Sequence, residues 1–286
     1  GSRHVITRHD AGCVRCRAAR GSRGGVASDR RNRRDRCDWQ RRVVAAVADR
    51  GRSVGECGVV ATRSRDRTPR RYRHRCNWKC FDWRADEKFV GNAQAKIAQA
   101  ELEKDFRRVK RLQRNLIRSW QAKALAVRKV TENQGKRTSG VDRELWDTPS
   151  KKWEAVSRLT LHGYRAKPLR RVWISKSDGR KRPLGIPTMR DRAMQALFLL
   201  AMEPASECHA DPNSYGFRKG RSTHDARSQL FVSLSKQVSA QWVLDADIVG
   251  FFDNINHDWL LANVRMNKRV LGQWLRCGVV DKNQFQ

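Results

Sequence analysis

The sequence predicts an α+β protein, and three stretches predict it. Residues 86–130 read as helix: rich in Ala, Gln, Lys, Arg and Leu, free of proline, with a single early glycine, Gly91. Two extended runs flank Ser177-Asp178-Gly179-Arg180, and Asp-Gly between such runs is a strong hairpin signal. Further on, the apolar run Trp242-Val243-Leu244 leads into Asp245-Ala246-Asp247-Ile248 and then Phe251-Phe252-Asp253. That pattern reads as a strand over Trp242 to Ile248 that delivers carboxylates to its C-terminal end.

The chain has 286 residues, enough for one or two domains with a real core. Its formal net charge of +33 excludes an ordinary metabolic enzyme. It points to a polyanionic partner, nucleic acid before an anionic membrane. The longest near-apolar run, Ala193 to Met202, is ten residues and contains Gln195, against roughly 18 for a membrane span. The N-terminus lacks the apolar centre of a signal peptide, so a cytoplasmic location is expected. Of eight cysteines, Cys13-x-x-Cys16 and Cys76-x-x-x-Cys80, with His74 nearby, have spacings a zinc site uses. Those pairs stand far apart in unpatterned sequence, and coincidence is the better account.

Residues 1–75 differ from the rest. Up to Trp78 there are 22 arginines and no lysine. Residues 1–80 carry a net +16 and the remainder +17. An all-Arg, Gly/Ala/Val/Cys-rich stretch without periodicity has the composition of GC-rich sequence translated without selection for folding. We therefore expect a disordered leader foreign to the natural protein, with an arginine-rich arm that orders on RNA as the competing reading.

Beyond it, the elements follow in order. In the long helix, Phe106, Val109, Leu112, Leu116, Ile117, Trp120, Ala124, Val127 and Val130 fall on one face. The other face carries Arg107, Arg108, Lys110, Arg111, Arg114, Arg118, Lys123 and Arg128, charge of one sign that suits phosphates better than solvent alone. The polar, basic, glycine-bearing loop Asn133 to Asp142 suits a segment lying against nucleic acid. A helix from Pro149 should turn Trp153, Val156, Leu159 and Leu161 inward. Leu169 to Lys176 and Lys181 to Ile186 make the hairpin. Arg170, Val172, Ile174 and Lys176 share one of its faces, with Arg182 just across the turn. Such cations can hold a triphosphate, or simply decorate an exposed edge. A buried helix over 188–206 should end at Pro204. The loop Pro212 to Ser222 interleaves aromatic, glycine and basic residues, as a base-stacking and phosphate-meeting surface does. Ser222 should cap a helix to about Lys236, and Asn256 a last helix to about Leu275.

Asp245 and Asp247, two apart, share one face of the expected strand. A carboxylate beside a backbone carbonyl at a strand end suits Mg²⁺, and paired Mg²⁺ ions clamp the attacking and leaving oxygens in polymerases. Aspartates in such places also serve turns and helix caps.

Taken in this order, the residues resemble a group II intron-encoded reverse transcriptase of the maturase class. Trp78-Lys79, Ser119-Trp120-Gln121-Ala122-Lys123 and Gly140-Val141-Asp142 resemble its N-terminal extension. Arg171-Val172-Trp173-Ile174, Asp178-Gly179 and Arg182-Pro183-Leu184-Gly185-Ile186-Pro187-Thr188 resemble its fingers hairpin. Ser214-Tyr215-Gly216-Phe217-Arg218 with Gly220-Arg221-Ser222 is the next match. Asp247-Ile248-x-x-Phe251-Phe252-Asp253-Asn254-Ile255 is the most diagnostic, and Trp274-Leu275 onward resembles the connector after it. Ser175 and Lys219 stand where the family often has proline.

The resemblance excludes the leader over 1–75 and implies, beyond it, an incomplete right-hand polymerase fold: a helical extension over 76–148, fingers over 149–237 and the first part of a palm over 238–286. It implies that Asp247 is the metal-binding catalytic aspartate, with the Ile248 carbonyl as a further Mg²⁺ ligand, and that Asp245 and Asp253 are structural. Phe252 would lie under the sugar and reject a 2′-hydroxyl. Lys176 and Arg182 would grip the incoming triphosphate, and Arg170 would lie near the templating base. Arg218, Arg221, Lys110, Arg114 and Arg118 would meet nucleic acid, either intron RNA or an RNA template with its DNA primer. The family's later Pro-Gln-Gly motif and aromatic-x-Asp-Asp hairpin do not occur before Gln286. One aspartate cannot hold two Mg²⁺ ions, so the expectation is a chain that binds RNA without polymerising alone. The alternative is a non-catalytic module that binds intron RNA and assists splicing.

Overall fold

Helices dominate the described residues up to Arg158. A computed structural model describes residues 78–286, apart from Lys176, Asp178, Asn283 and Gln286. The expected leader over 1–75 and the Cys13, Cys16 and Cys76 zinc positions lie outside the described residues, as does the side chain of Cys80. A short 3-10 turn, Trp78–Cys80, precedes α1 (Trp83–Leu102), α2 (Phe106–Arg118) and α3 (Trp120–Glu132). The single helix expected over 86–130 is thus broken twice. At the first break Lys104 takes a left-handed φ of 59°, and the Asp105 side chain accepts from Arg108 N at 2.9 Å. At the second, Ser119 Oγ accepts from Ala122 N at 3.2 Å. Helix propensity is continuous here, but a capping side chain competes with the ladder for the same amides.

The helix from Pro149 is α4 (Pro149–Arg158), capped by Thr148, with Val156 and Leu159 fully inside. The buried helix is α5 (Met189–His209), and it runs through Pro204 instead of ending there. Pro204 has no N–H to offer the Leu200 carbonyl. Gln94 of α1 takes that place, donating Nε2 to Leu200 O at 2.8 Å. Gln113 of α2 donates to the next carbonyl, Ala201 O, at 3.1 Å. Two glutamines thereby stitch α1 and α2 to α5 where the proline would have stopped it. Around this seam Ile97, Leu116, Val127, Met194 and Leu197 form the core. Trp78, Phe81, Trp83, Trp120 and Trp153 close one end in a run of ring contacts between 4.7 and 6.4 Å.

β1 (Leu169–Ser175) and β2 (Lys181–Ile186) pair antiparallel, from Arg170↔Ile186 to Ser175↔Lys181, as the hairpin reading expects. β3 (Val279–Asp281) joins β1 in parallel and β4 (Gln284–Phe285) pairs with β3. The resulting sheet is mixed, in the order β2-β1-β3-β4. Between hairpin and β3 come α5, α6 (Thr223–Leu234), α7 (His257–Asn263) and α8 (Lys268–Leu275). The last helix expected from Asn256 to Leu275 is two helices. Asn267 caps the second through Val270 N, at 3.3 Å. Lys268 Nζ closes the first by donating to the Ala262 and Val264 carbonyls.

The strand expected over Trp242 to Ile248 does not form. Trp242 is 93 % exposed and Leu244 90 %. A strand makes its backbone bonds to another segment, and among the described residues none pairs with this run. Among the described residues no helix is long and apolar enough to cross a membrane.

Candidate nucleic-acid interface

On α2 the inner stripe is Val109, Gln113, Leu116 and Ile117, all buried. That stripe forces Arg107, Lys110, Arg111, Arg114 and Arg118 outward, and all five are exposed. Among the described residues none of them has an ion-pair partner, whereas Arg108 pairs with Glu103 at 2.9 Å. The cationic face does not continue along α3. Lys123 is buried. Arg128 pairs with Glu87 at 3.0 Å and Glu132 at 3.1 Å, and its guanidinium lies 4.7 Å from the Trp83 ring. The reason is packing: α3 lies between α1 and α5, so Lys123 and Arg128 are held within the protein.

The hairpin places Arg170, Val172 and Ile174 opposite Ile186, Leu184 and Arg182. One face is therefore an aliphatic stripe with an arginine at either end. Arg170 is half-buried and Arg182 exposed; Lys176 lies outside the described residues. On the other face Trp173 Nε1 donates to Asp281 Oδ2 at 3.1 Å, tying the hairpin to β3.

The basic loop after α3 is pinned to the start of α5 by a residue sequence reasoning missed. Arg192 donates Nε to Pro187 O at 3.0 Å and Nη1 to Gly135 O at 2.9 Å, and Nη2 reaches Thr138 O. Burial, and then the charge of Arg170, pull its pKa below the ordinary arginine value. Gly140 lies so close to Thr188 that an added Cβ would sit 2.6 Å from its Cα. This close approach leaves Lys136 and Arg137 exposed on the outer side of the loop.

Beside it lies a buried network. Tyr164 OH donates to Asp191 Oδ1 at 2.6 Å, and Thr188 Oγ1 donates to Oδ2 at 2.7 Å. Trp274 Nε1 of α8 donates to the Tyr164 oxygen at 2.8 Å. Burial first, and then the Asp191 hydrogen bond, push the Tyr164 phenol above its ordinary pKa. The available signal was Arg190-Asp191-Arg192, three charges in the first turn of a helix whose middle is apolar.

The loop Pro212 to Ser222 does not present its arginines as expected. Arg218 Nε lies 2.8 Å from Glu207 Oε1 and Arg221 Nη2 3.6 Å from Oε2. Arg221 Nη1 also donates to the carbonyls of Asp211, Pro212 and Ser214. Glu207, in the last turn of α5, captures both guanidiniums, so they shape the loop from within. Phe217 is left fully exposed at a left-handed φ of 58°.

The aspartates are not brought together. Asp245, Asp247 and Asp253 are all exposed. Asp247 Oδ1 accepts from the Ile248 N–H at 2.9 Å. Gly250, at φ 59°, makes a tight turn in which Asp253 N, Asn254 N and Asn254 Nδ2 all donate to its carbonyl. Phe252 meets Phe251 edge to face at 5.3 Å and is 81 % exposed. Among the described residues no three His, Cys, Asp or Glu side chains converge as a metal site.

Two families match this layout. The N-terminal domain of reverse transcriptase matches residues 78–159, and reverse transcriptase (RNA-dependent DNA polymerase) matches residues 174–284. The chain belongs to the reverse transcriptase family. Among its relatives, protein YkfC of Escherichia coli K12 is 32 % identical over 211 residues, 69 % of this chain and 55 % of that protein. The group II intron-encoded protein LtrA of Lactococcus lactis is 28 % identical over 170 residues, 56 % of this chain and 28 % of that one. A maturase-like protein of Euglena gracilis is 25 % identical over 189 residues, 64 % of this chain and 41 % of that one. The chain thus spans about half the length of the first of these relatives and about a quarter of the second. Tyr164 and most of β1 fall in residues 160–173, between the two matched regions, and the Tyr164 partners Asp191 and Trp274 lie in the second.

Proposed function

We propose that this chain is the RNA-binding part of a group II intron reverse transcriptase, and that these residues alone bind RNA without polymerising. The observation that carries the proposal is the outer face of α2, where Lys110, Arg114 and Arg118 stand exposed among cations of one sign and, among the described residues, no carboxylate pairs with them. The face offers about 16 Å of helix from Arg107 to Arg118, at 1.5 Å per residue, enough to meet several successive phosphates. Separately, we assign Arg170 to the template and Arg182, with Lys176, to an incoming triphosphate. Arg218 and Arg221 act through the loop they hold, presenting Phe217 for base stacking.

Reverse transcription as such is the family's activity, and Mg²⁺ supplies its charge-neutralising chemistry when bound. The residues described here do not by themselves fit such a site: Asp247 and the Ile248 carbonyl are two ligands, and hard cations need more oxygens. Within a complete palm, Asp247 is the proposed catalytic ligand and Phe252 the residue that excludes a 2′-hydroxyl. The proposed division is extension over 76–148, fingers over 149–237 and palm from 238.

RNA affinity measured against salt tests the α2 assignment. The intact chain should show a steep slope, and the combined Lys110→Ala, Arg114→Ala, Arg118→Ala variant should lose about 2 units of it, at roughly 0.7 per single-strand phosphate contact. An unchanged slope would place the RNA elsewhere. Asp247→Ala should leave binding as it is.

A further inference from the structure

We infer a second nucleic-acid contact, a pocket between the base of the hairpin and α8 that takes a short single strand, one base against Phe285 and the phosphates of about three nucleotides along α8. It rests on the RNA-binding reading above but uses none of the residues assigned there. The cavity, of about 920 Å³, is lined by Arg165, Lys268, Arg269 and Arg276, by Phe285, and by no carboxylate. Lys268 is engaged with the carbonyls that end α7. Arg165, Arg269 and Arg276 are exposed, and among the described residues none has an ion-pair partner.

The pocket is built, not incidental. Gln273 of α8 accepts from Ala166 N at 2.9 Å and donates to Tyr164 O at 3.4 Å. The backbone on both sides of Arg165 is thereby fixed to the helix that carries the other two arginines. Arg269 and Gln273 of α8 and its C-cap Arg276 line up by their spacing of four and three. Phe285 is held by β4, whose partner β3 pairs in turn with β1. Its ring is 69 % exposed at the cavity edge.

The arrangement favours a strand over a single nucleotide. Arg269 and Arg276 are seven residues apart, about 10.5 Å along the helix, which is the axial rise of about three nucleotides at 3.4 Å each. An aromatic face beside phosphate-reaching cations is how single strands are held without sequence preference. An acidic protein would match the charge but would leave Phe285 without a partner.

The test uses the whole chain, a uridine oligonucleotide and polyglutamate as competitor. Arg269→Glu with Arg276→Glu should weaken RNA binding at least tenfold and lower the salt slope by at least about 1.4, at roughly 0.7 per phosphate. Arg269→Lys with Arg276→Lys should keep the slope. Phe285→Ala should weaken binding roughly tenfold with the slope unchanged. Thiouridine cross-linking on the unaltered chain gives a readout independent of variant folding, and cross-links should appear at Phe285 or Cys277. Cross-links confined to α2, or competition by polyglutamate as effective as by RNA, would overturn the pocket. Cross-links confined to α2 would leave the general RNA reading standing; an intact chain that binds no RNA would overturn both.

Discussion

Two regions of this chain treat apolar side chains in opposite ways. From Trp78 to Cys208 each helix buries a stripe against its neighbours; from His209 to Arg269 no residue is buried at all. Helices form in both. In α6 Ser222 and Asp225 exchange hydrogen bonds in a capping box, with Ser222 N to Asp225 Oδ2 at 2.7 Å, though Leu230, Phe231 and Val232 stay exposed. A helix satisfies its backbone within itself and needs only a cap to begin. A strand does not, and Trp242 to Ile248, with the right residues for a strand, stays irregular for lack of a neighbour. Asp247 and Phe252, the proposed metal ligand and sugar-facing residue, both sit in the unpacked region.

The contrast can be broken or sharpened at several places. The largest effect is expected at Glu101, where the two regions are tied together. Its buried Oε1 takes His209 Nε2 at 2.7 Å and Arg265 Nη1 at 2.6 Å, while Oε2 is buried without a partner. Removing both partners, His209→Ala with Arg265→Ala, strands a buried charge and should cost about 3–5 kcal/mol in urea unfolding. Glu101→Gln should cost clearly less, because no charge is left behind. Equal losses would mean the carboxylate is solvated.

Next is a paired truncation. Leu197→Ala, in the core, should cost about 2–5 kcal/mol. Leu244→Ala, on the exposed run, should stay within about 0.5 kcal/mol. A comparable loss at Leu244 would show that the run is packed after all. Smaller again is Arg192→Met, which removes three hydrogen bonds from a charged donor and should cost about 1.5–3 kcal/mol. It should also speed amide exchange across residues 133–142.

Thiol labelling offers a chemical version of the same test. Burial, and then the nearby Glu101 and Glu207, push the Cys208 thiol up to about 11. It should resist alkylation at pH 8 until the protein unfolds. Prompt labelling would show that α5 opens at its end.

The smallest effect is a pH response in α6. The Ser222 hydroxyl, followed by its backbone N–H, holds the Asp225 carboxyl below its ordinary value. A carboxyl lowered by folding stabilises above its unfolded pKa of about 3.9, and that contribution is lost as pH falls through the folded value. Amide signals of α6 should therefore weaken below about pH 4 while those of α5 persist.

Much of this was legible in the sequence. Asp-Gly placed the hairpin, and Pro149, Ser222 and Asn256 marked helix starts through chemistry that acts over three residues. The misses share one cause, interactions between residues far apart in sequence. Gln94, over a hundred residues away, lets α5 pass Pro204. Glu207 captures two arginines that composition alone would offer to phosphates. The strand at 242 read correctly as a pattern and failed as a structure, because pattern specifies a face and not a partner. The α2 face was readable since one amphipathic helix carries both the core stripe and its charged opposite.

Primer extension on an RNA template with deoxynucleotides and Mg²⁺, run beside an RNA-binding assay on the intact chain and its Asp247→Ala variant, tests the central claim most directly. We predict that both proteins bind the RNA and that neither extends the primer. Extension by the intact chain and not by the variant would contradict that claim, and would mean that this chain gathers a complete set of metal ligands around Asp247.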